Sequence, residues 1–212
     1  MEVDDLALLE RWRAGDRAAG QALFARHFAT VFRFFETKCE PEAEELTQST
    51  FLACVRARDQ FRQDSSFRTY LFTIARHELC HHLRTKSRKQ DKLDFAVSSI
   101  ADLVSTAGTR LGRAQEHRQL VDALHRLPVD QQVLLELHYW EEVDIAGLVE
   151  IFETTAVAIR SRLHRARKSL RAQLVAVAPP EALQNDETLD RWMQDQQTVV
   201  RGRHIPGEPG SM

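Results

Sequence analysis

A chain of 212 residues with 43% apolar residues can bury one ordinary core or two small ones, so a soluble globular protein is the default. The formal charge is only −2. That near-neutral total hides acidic stretches at Glu40–Glu45 and Glu181–Asp195 and basic ones at Arg84–Lys92 and Arg160–Arg171, and local basic patches of this kind suit nucleic acid.

Cys39, Cys54 and Cys80 are odd in number and lack C-x-x-C spacing, which argues against a disulfide framework or a thiolate zinc site. We read them as reduced, packed thiols. The opening MEVDDLALLERW is acidic where a signal peptide is basic, and no apolar run approaches the roughly 20 residues that span a bilayer. A cytoplasmic protein without membrane insertion is expected.

Nearly every periodic segment repeats at the helical spacing, and alternating runs bounded by turn signals are missing, so the predicted class is all-α. A first helix covers about Asp4 to Ala14 and stops at Gly15-Asp16. A second runs from about Arg17 to Lys38, with Phe24, Phe28, Val31, Phe32 and Phe35 forming a stripe that is read as core. Pro41 suits the first turn of a third helix reaching about Arg58, and Glu42, Glu44 and Glu45 favour its N-terminal dipole. After the polar FRQDSS, Ser65 or Ser66 can cap a fourth helix from Phe67 to about Lys86. Its broad apolar arc holds Phe67, Tyr70, Leu71, Phe72, Ile74, Ala75, Leu79 and Leu83, while Thr69, Thr73, Arg76, His77, Cys80 and Arg84 fill a polar sector.

From Ser87 to about Arg110 the chain is polar and aperiodic, which reads as a flexible linker between two helical domains. Beyond it Leu120, Leu124 and Leu127 stripe a helix that Pro128 ends. Val129 to Trp140 forms the next, followed by a short one at about Asp144 to Phe152 and a long one at about Thr155 to Leu174. Pro179-Pro180 stops this run. In the tail, Leu183, Leu189, Trp192 and Met193 can line a short amphipathic helix in an acidic setting. Docking of that helix and a largely disordered tail both stay open.

Two stretches carry chemistry. His77-Glu78-Leu79-Cys80-His81 fits H-E-x-x-H, a zinc signature in which two histidines one turn apart hold the metal and the glutamate is the base. A zinc hydrolase also needs a third ligand and an open position for water. The segment downstream is a basic linker, and the next candidates, Glu116, His117 and His125, belong to the other domain. With nine histidines in the chain a chance match is not rare, so zinc hydrolysis is a remote alternative, and no metal or cofactor is expected.

The second stretch is the long helix after Thr155. Ala156, Ile159, Leu163, Ala166 and Leu170 share one narrow arc. Val157, Arg160, Ser161, His164, Lys168 and Arg171 lie opposite, with Arg165 and Arg167 at the margins. A short helix, a tight turn and a helix with one apolar and one basic stripe is the pattern of a helix-turn-helix. Thr155, Val157, Arg160 and Ser161 are the candidate base readers; Arg165, Arg167, Lys168 and Arg171 are the candidate phosphate contacts, and His164 belongs to the same DNA-binding face.

The stretches DDLALLERWRAGD, ALFARHFATVF, EAEELTQSTFLACVRARDQFR, SSFRTYLFTIARHELCHHLR, LHRLPVDQQVLLELHYW and IRSRLHRARKSL follow one another in an order that resembles the extracytoplasmic-function group of bacterial RNA polymerase sigma factors. The resemblance implies sigma domain two over residues 1–86, a linker over 87–111, sigma domain four over 112–176 and a C-terminal extension over 177–212. It further implies a non-enzymatic protein that binds core RNA polymerase and promoter DNA. Glu45, Leu46 and Gln48 match the contact with the clamp helices of the polymerase's largest subunit. Gln63, Asp64, Ser65, Ser66, Arg68, Tyr70, Arg76, His77 and Arg84 match the part that captures the melted minus-ten strand. The helix from Thr155 matches the reader of the minus-thirty-five duplex. Members of the group are commonly held inactive by an anti-sigma factor, which makes such a protein a candidate partner, although nothing in the sequence identifies one. Val149 and Glu153 replace the small residue and the glycine usual in the turn, which predicts a less tight turn and an altered reading angle. A helix-turn-helix regulator acting without polymerase is the main alternative.

Overall fold

The computed structural model describes residues 4–61, 65–86, 94–103, 115–175 and 178–201. Among these the secondary structure is helical apart from one isolated bridge between Ser99 and Pro128. Helix α1 (Asp5–Arg13) packs along α2 (Arg17–Glu36), whose N-cap Asp16 accepts a hydrogen bond from the Ala19 amide. The contact is close because Gly20 lies under the Trp12 indole: a Cβ there would stand 2.6 Å from Cδ1. A short 3-10 turn, Glu40–Glu42, leads into α3 (Ala43–Ala57), a second such turn follows at Arg58–Gln60, and α4 spans Phe67–Lys86.

The aromatic stripe of α2 is core, as its period predicts. Val31 and Phe35 are buried, and Phe24 and Phe28 stack on Phe51 of α3. The Arg13 guanidinium donates to the carbonyls of Arg58 at 2.7 Å and Phe61 at 2.5 Å. It thereby satisfies carbonyls that the end of α3 leaves open and fixes where the chain departs toward α4. There Ser66 Oγ accepts from the Thr69 amide at 3.0 Å.

The described part of the expected linker includes a short helix. Residues 94–103 turn at Phe95 and form α5 (Ile100–Leu103), with Phe95 and Ile100 buried. The Val129 and Asp130 amides donate to Ser98 O and Phe95 O. These two backbone bonds fix the piece to the residues after Pro128, a pairing that no local period reveals.

The second domain comprises α6 (Gln115–His125), α7 (Val129–Tyr139), α8 (Ile145–Ile151) and α9 (Ala156–Leu174). Asp144 caps α8 through the Gly147 amide, and Thr155 caps α9 through the Ala158 amide. The tail is helical as well: after a 3-10 turn at Pro180–Leu183, α10 (Asp186–Arg201) lies against α6, α7 and α9. Leu189 and Met193 are fully buried there, and Trp140 Nε1 donates to Met193 O at 3.2 Å. The docked alternative is the one observed.

The two domains close on each other. Helix α8 packs along α4, and Gly147 keeps the contact close: a Cβ there would lie 3.0 Å from Thr69 Oγ1. At the other end of the seam, Lys38 beyond the end of α2 donates to Glu136 of α7, with both side chains almost wholly buried. Lys38 also donates to Phe34 O at 2.7 Å; Glu136 also accepts from Thr37 Oγ1 at 2.9 Å and Gln132 Nε2 at 2.7 Å. Burial pulls the Lys38 ammonium below its ordinary range, against the attraction of Glu136.

Candidate nucleic-acid interface

Closure changes the meaning of the polar sector of α4. The pattern predicts an exposed strip, yet Thr69 and Cys80 are buried and the basic residues meet carboxylates of the second domain. Arg68 Nη2 donates to Glu141 Oε2 at 2.5 Å, Arg76 Nη2 donates to Asp130 Oδ1 at 2.8 Å, and His77 Nε2 lies 3.4 Å from Glu153 Oε1. Arg84 covers the Phe95 ring at 4.9 Å. Tyr70 stacks on Phe61, with ring centroids 4.6 Å apart, and its hydroxyl donates to Ala57 O. Ser65 and Ser66 border a cleft of about 510 Å³ shared with Arg68, Glu141 and Asp144. Gln63 and Asp64 lie outside the described residues.

Helix α9 separates its faces as predicted. Ile159, Leu163, Ala166, Leu170 and Leu174 are buried, whereas Val157, Arg160, Ser161, His164, Arg165 and Lys168 are exposed. Thr155, expected among the base readers, is exposed, and its hydroxyl oxygen accepts from the Ala158 amide as the helix cap. Arg167 and Arg171 turn toward α10 and are partly covered by it.

The turn before α9 corrects one expectation. Glu153 adopts a left-handed backbone, with φ of 50°, so the turn keeps the conformation that a glycine would take instead of opening. The conformation is retained at a cost of about 1 kcal/mol for a residue with a Cβ. Glu153→Gly is therefore expected to stabilise the protein by about 1 kcal/mol, read as a higher denaturation midpoint, since its exposed contact with His77 contributes little. Val149 sits half-buried against the core and is accommodated.

On α3, Glu45 and Gln48 are exposed, but Leu46 is buried at 6% exposure. One helical step from Glu45 carries Leu46 into the core of its own domain, which corrects its placement at an outer contact. The same exposed face instead continues through Leu52 at 56% and Val55 at 45% exposure. They stand at i+4 and i+7 from Gln48, the spacing of one helix face.

The H-E-x-x-H stretch does not converge on a metal. His77 points toward Glu153, His81 is exposed, and His82 lies 3.9 Å from Glu42. Among the described residues no three His, Cys, Asp or Glu side chains gather as a ligand set. Nor is any described helix long and apolar enough to cross a membrane. The three cysteines are free and buried, and burial pushes the thiols of Cys39 and Cys54 up to about 12.

Comparison with known proteins agrees with this architecture. The family model described as Sigma-70 region 2 matches residues 23–89, and that described as Sigma-70, region 4 matches residues 117–170. Together they span more than half of the chain. The chain is 25% identical over 178 residues to the ECF RNA polymerase sigma-E factor of Haemophilus influenzae, covering 80% of this chain and 94% of that one. It is 25% identical over 182 residues to the RNA polymerase sigma-H factor of Pseudomonas aeruginosa, covering 80% and 93%. Its fold is similar to that of the sigma factor RpoE solved with the anti-sigma factor NepR from Bartonella quintana, with TM-score 0.61, 23% identity, and 74% of this chain and 98% of that one covered. It is also similar to CnrH solved with the cytosolic domain of CnrY, with TM-score 0.58, 23% identity, and 84% and 100% covered. Region 2 followed by region 4 with its helix-turn-helix, matched in order along the chain, makes this protein a member of the extracytoplasmic-function group of RNA polymerase sigma factors.

Proposed function

We propose that α9 reads the minus-thirty-five duplex with Val157, Arg160 and Ser161, while Arg165 and Lys168 hold the backbone. The separation of its faces carries this reading: a continuous buried stripe lies opposite an exposed basic one, beginning at a capped N-terminus. Arg160→Ala is expected to weaken binding to the cognate duplex by about 1–3 kcal/mol in a titration, with a much smaller loss on unrelated duplexes if it contacts bases. An equal loss on every duplex would make it a phosphate contact instead.

The minus-ten strand is assigned to Ser65, Ser66, Arg68, Tyr70, Arg76, His77 and Arg84, together with Gln63 and Asp64 before them. Melting a duplex without ATP hydrolysis requires that unpaired bases and their phosphates be held, and cationic side chains beside an aromatic one suit that task. In the closed form Arg68, Arg76 and His77 are already engaged by Glu141, Asp130 and Glu153. The domains therefore have to part before the strand can enter. Core polymerase supplies the second site: Glu45, Gln48, Leu52 and Val55 offer an acidic, partly apolar surface to the clamp helices. An anti-sigma factor that favours the closed form would act on the same equilibrium. The residue boundaries 1–86, 87–111, 112–176 and 177–212 delimit these activities, and the protein acts in the cytoplasm as a non-enzymatic specificity subunit.

Reconstitution with sigma-free core polymerase and genomic promoter templates is the test. Promoter-dependent RNA is expected only when this chain is added. Duplex binding without any such RNA would favour a regulator that works without polymerase.

A further inference from the structure

The C-terminal helix α10 begins beyond the stretch matched by the region 4 model, and its position raises a question that the sigma assignment does not answer. On α9, Arg160, His164, Arg167 and Arg171 follow one another at i, i+4, i+7 and i+11, a single basic flank beside the buried stripe. Helix α10 lies along the last three of them. Asp190 accepts from Arg167 Nε at 2.9 Å and from its Nη2 at 3.2 Å. Asp186 accepts from Arg171 and stands 3.6 Å from His164 Nδ1.

Tyr139 completes the contact: its hydroxyl donates to Asp190 and accepts from Arg167 Nε at 2.7 Å. The carboxylates are held from below by buried Leu189 and Met193. Gln197 Nε2 adds a donor to Trp140 O at 2.6 Å. An apolar seam with acidic residues at its edge thus places two carboxylates one helical turn apart against the basic flank, where successive DNA phosphates would otherwise make charge-assisted bonds.

We infer that α10 is an internal competitor for the DNA backbone: Asp186 and Asp190 occupy Arg171 and Arg167, so that duplex binding by α9 and docking of α10 oppose each other. The inference rests on α9 being the duplex reader. Because phosphate contacts are independent of sequence, the promoter need not be known to test it.

The full-length protein and its Asp186→Asn/Asp190→Asn variant are titrated into a fluorescein-labelled duplex at several salt concentrations. Circular dichroism verifies that the variant keeps its helix content. The variant is expected to bind more tightly, with a log K against log salt slope steeper by roughly 0.9 for each arginine released, about 1.8 for the pair. The gain is then about tenfold larger at 50 mM than at 200 mM salt, which is that slope applied to a fourfold change in salt.

Unchanged affinity and slope, or weaker binding by the variant, would overturn the competition. Lys168→Ala in the unaltered background separates the two readings. If it weakens duplex binding while the double variant changes nothing, α9 remains the reader and the competitor role is lost. If neither substitution affects binding, the reader assignment fails, and the competitor role with it.

Discussion

Glu136→Ala is expected to cost about 3–5 kcal/mol, because it leaves the buried Lys38 ammonium without its counter-charge. Lys38 would keep Phe34 O and Thr37 Oγ1 as acceptors but lose the carboxylate hydrogen-bonded to it. Since the pair joins α7 to the end of α2, the loss falls on the contact between domains as well as on the fold. Chemical denaturation should show a lower midpoint, and small-angle scattering a larger radius of gyration below that midpoint. Replacing both partners by apolar residues of similar volume, Lys38→Met with Glu136→Leu, should recover most of the stability, because no buried charge is then left alone. A Glu136→Ala protein that unfolds at the same denaturant concentration as the parent would show that the pair contributes nothing to closure.

The second large effect is expected on α3. Leu52→Asp puts a carboxylate at the middle of the exposed face that carries Glu45, Gln48 and Val55, without touching the core. Desolvating that charge against the polymerase should weaken core binding by about 2 kcal/mol or more, near thirtyfold, while the melting temperature stays within a degree or two. Leu46→Ala should do the reverse: Leu46 is buried, so stability falls and affinity, corrected for the folded fraction, holds. A surface plasmon resonance comparison of the two variants distinguishes an outer contact from a core position. Equal affinity losses after that correction would contradict this division of roles.

What could be read from the sequence was local. Helices announced themselves through their period, and the start of α4 through Ser65-Ser66, of which Ser66 caps the first turn; the caps Asp16, Asp144 and Thr155 emerged only with the structure. The apolar stripe of α9 and its opposing basic stripe were equally visible, because both lie within five turns of one helix. Closure was not legible. Arg76 meets Asp130 across 54 positions and Arg68 meets Glu141 across 73, and no periodicity connects residues so far apart. An identical polar sector on α4 is compatible with water, with DNA or with a neighbouring domain. Leu46 failed for another reason, since a motif identifies a segment whereas a rotation of one residue decides which side chain looks outward. The tail lay between these cases: its amphipathic spacing could be seen, but the groove that receives it is assembled from three other helices.

The same groove makes the tail optically visible. The chain has three tryptophans, and two of them, Trp140 and Trp192, stand at the α10 junction. Trp140 is only 3% exposed and bonds through its indole N–H to the backbone of Met193. Departure of α10 removes that acceptor and uncovers the ring. Emission should then move toward the red without an added dye, so the arrival of DNA, polymerase or a restraining partner at this domain can be timed by whether it leaves the tail seated.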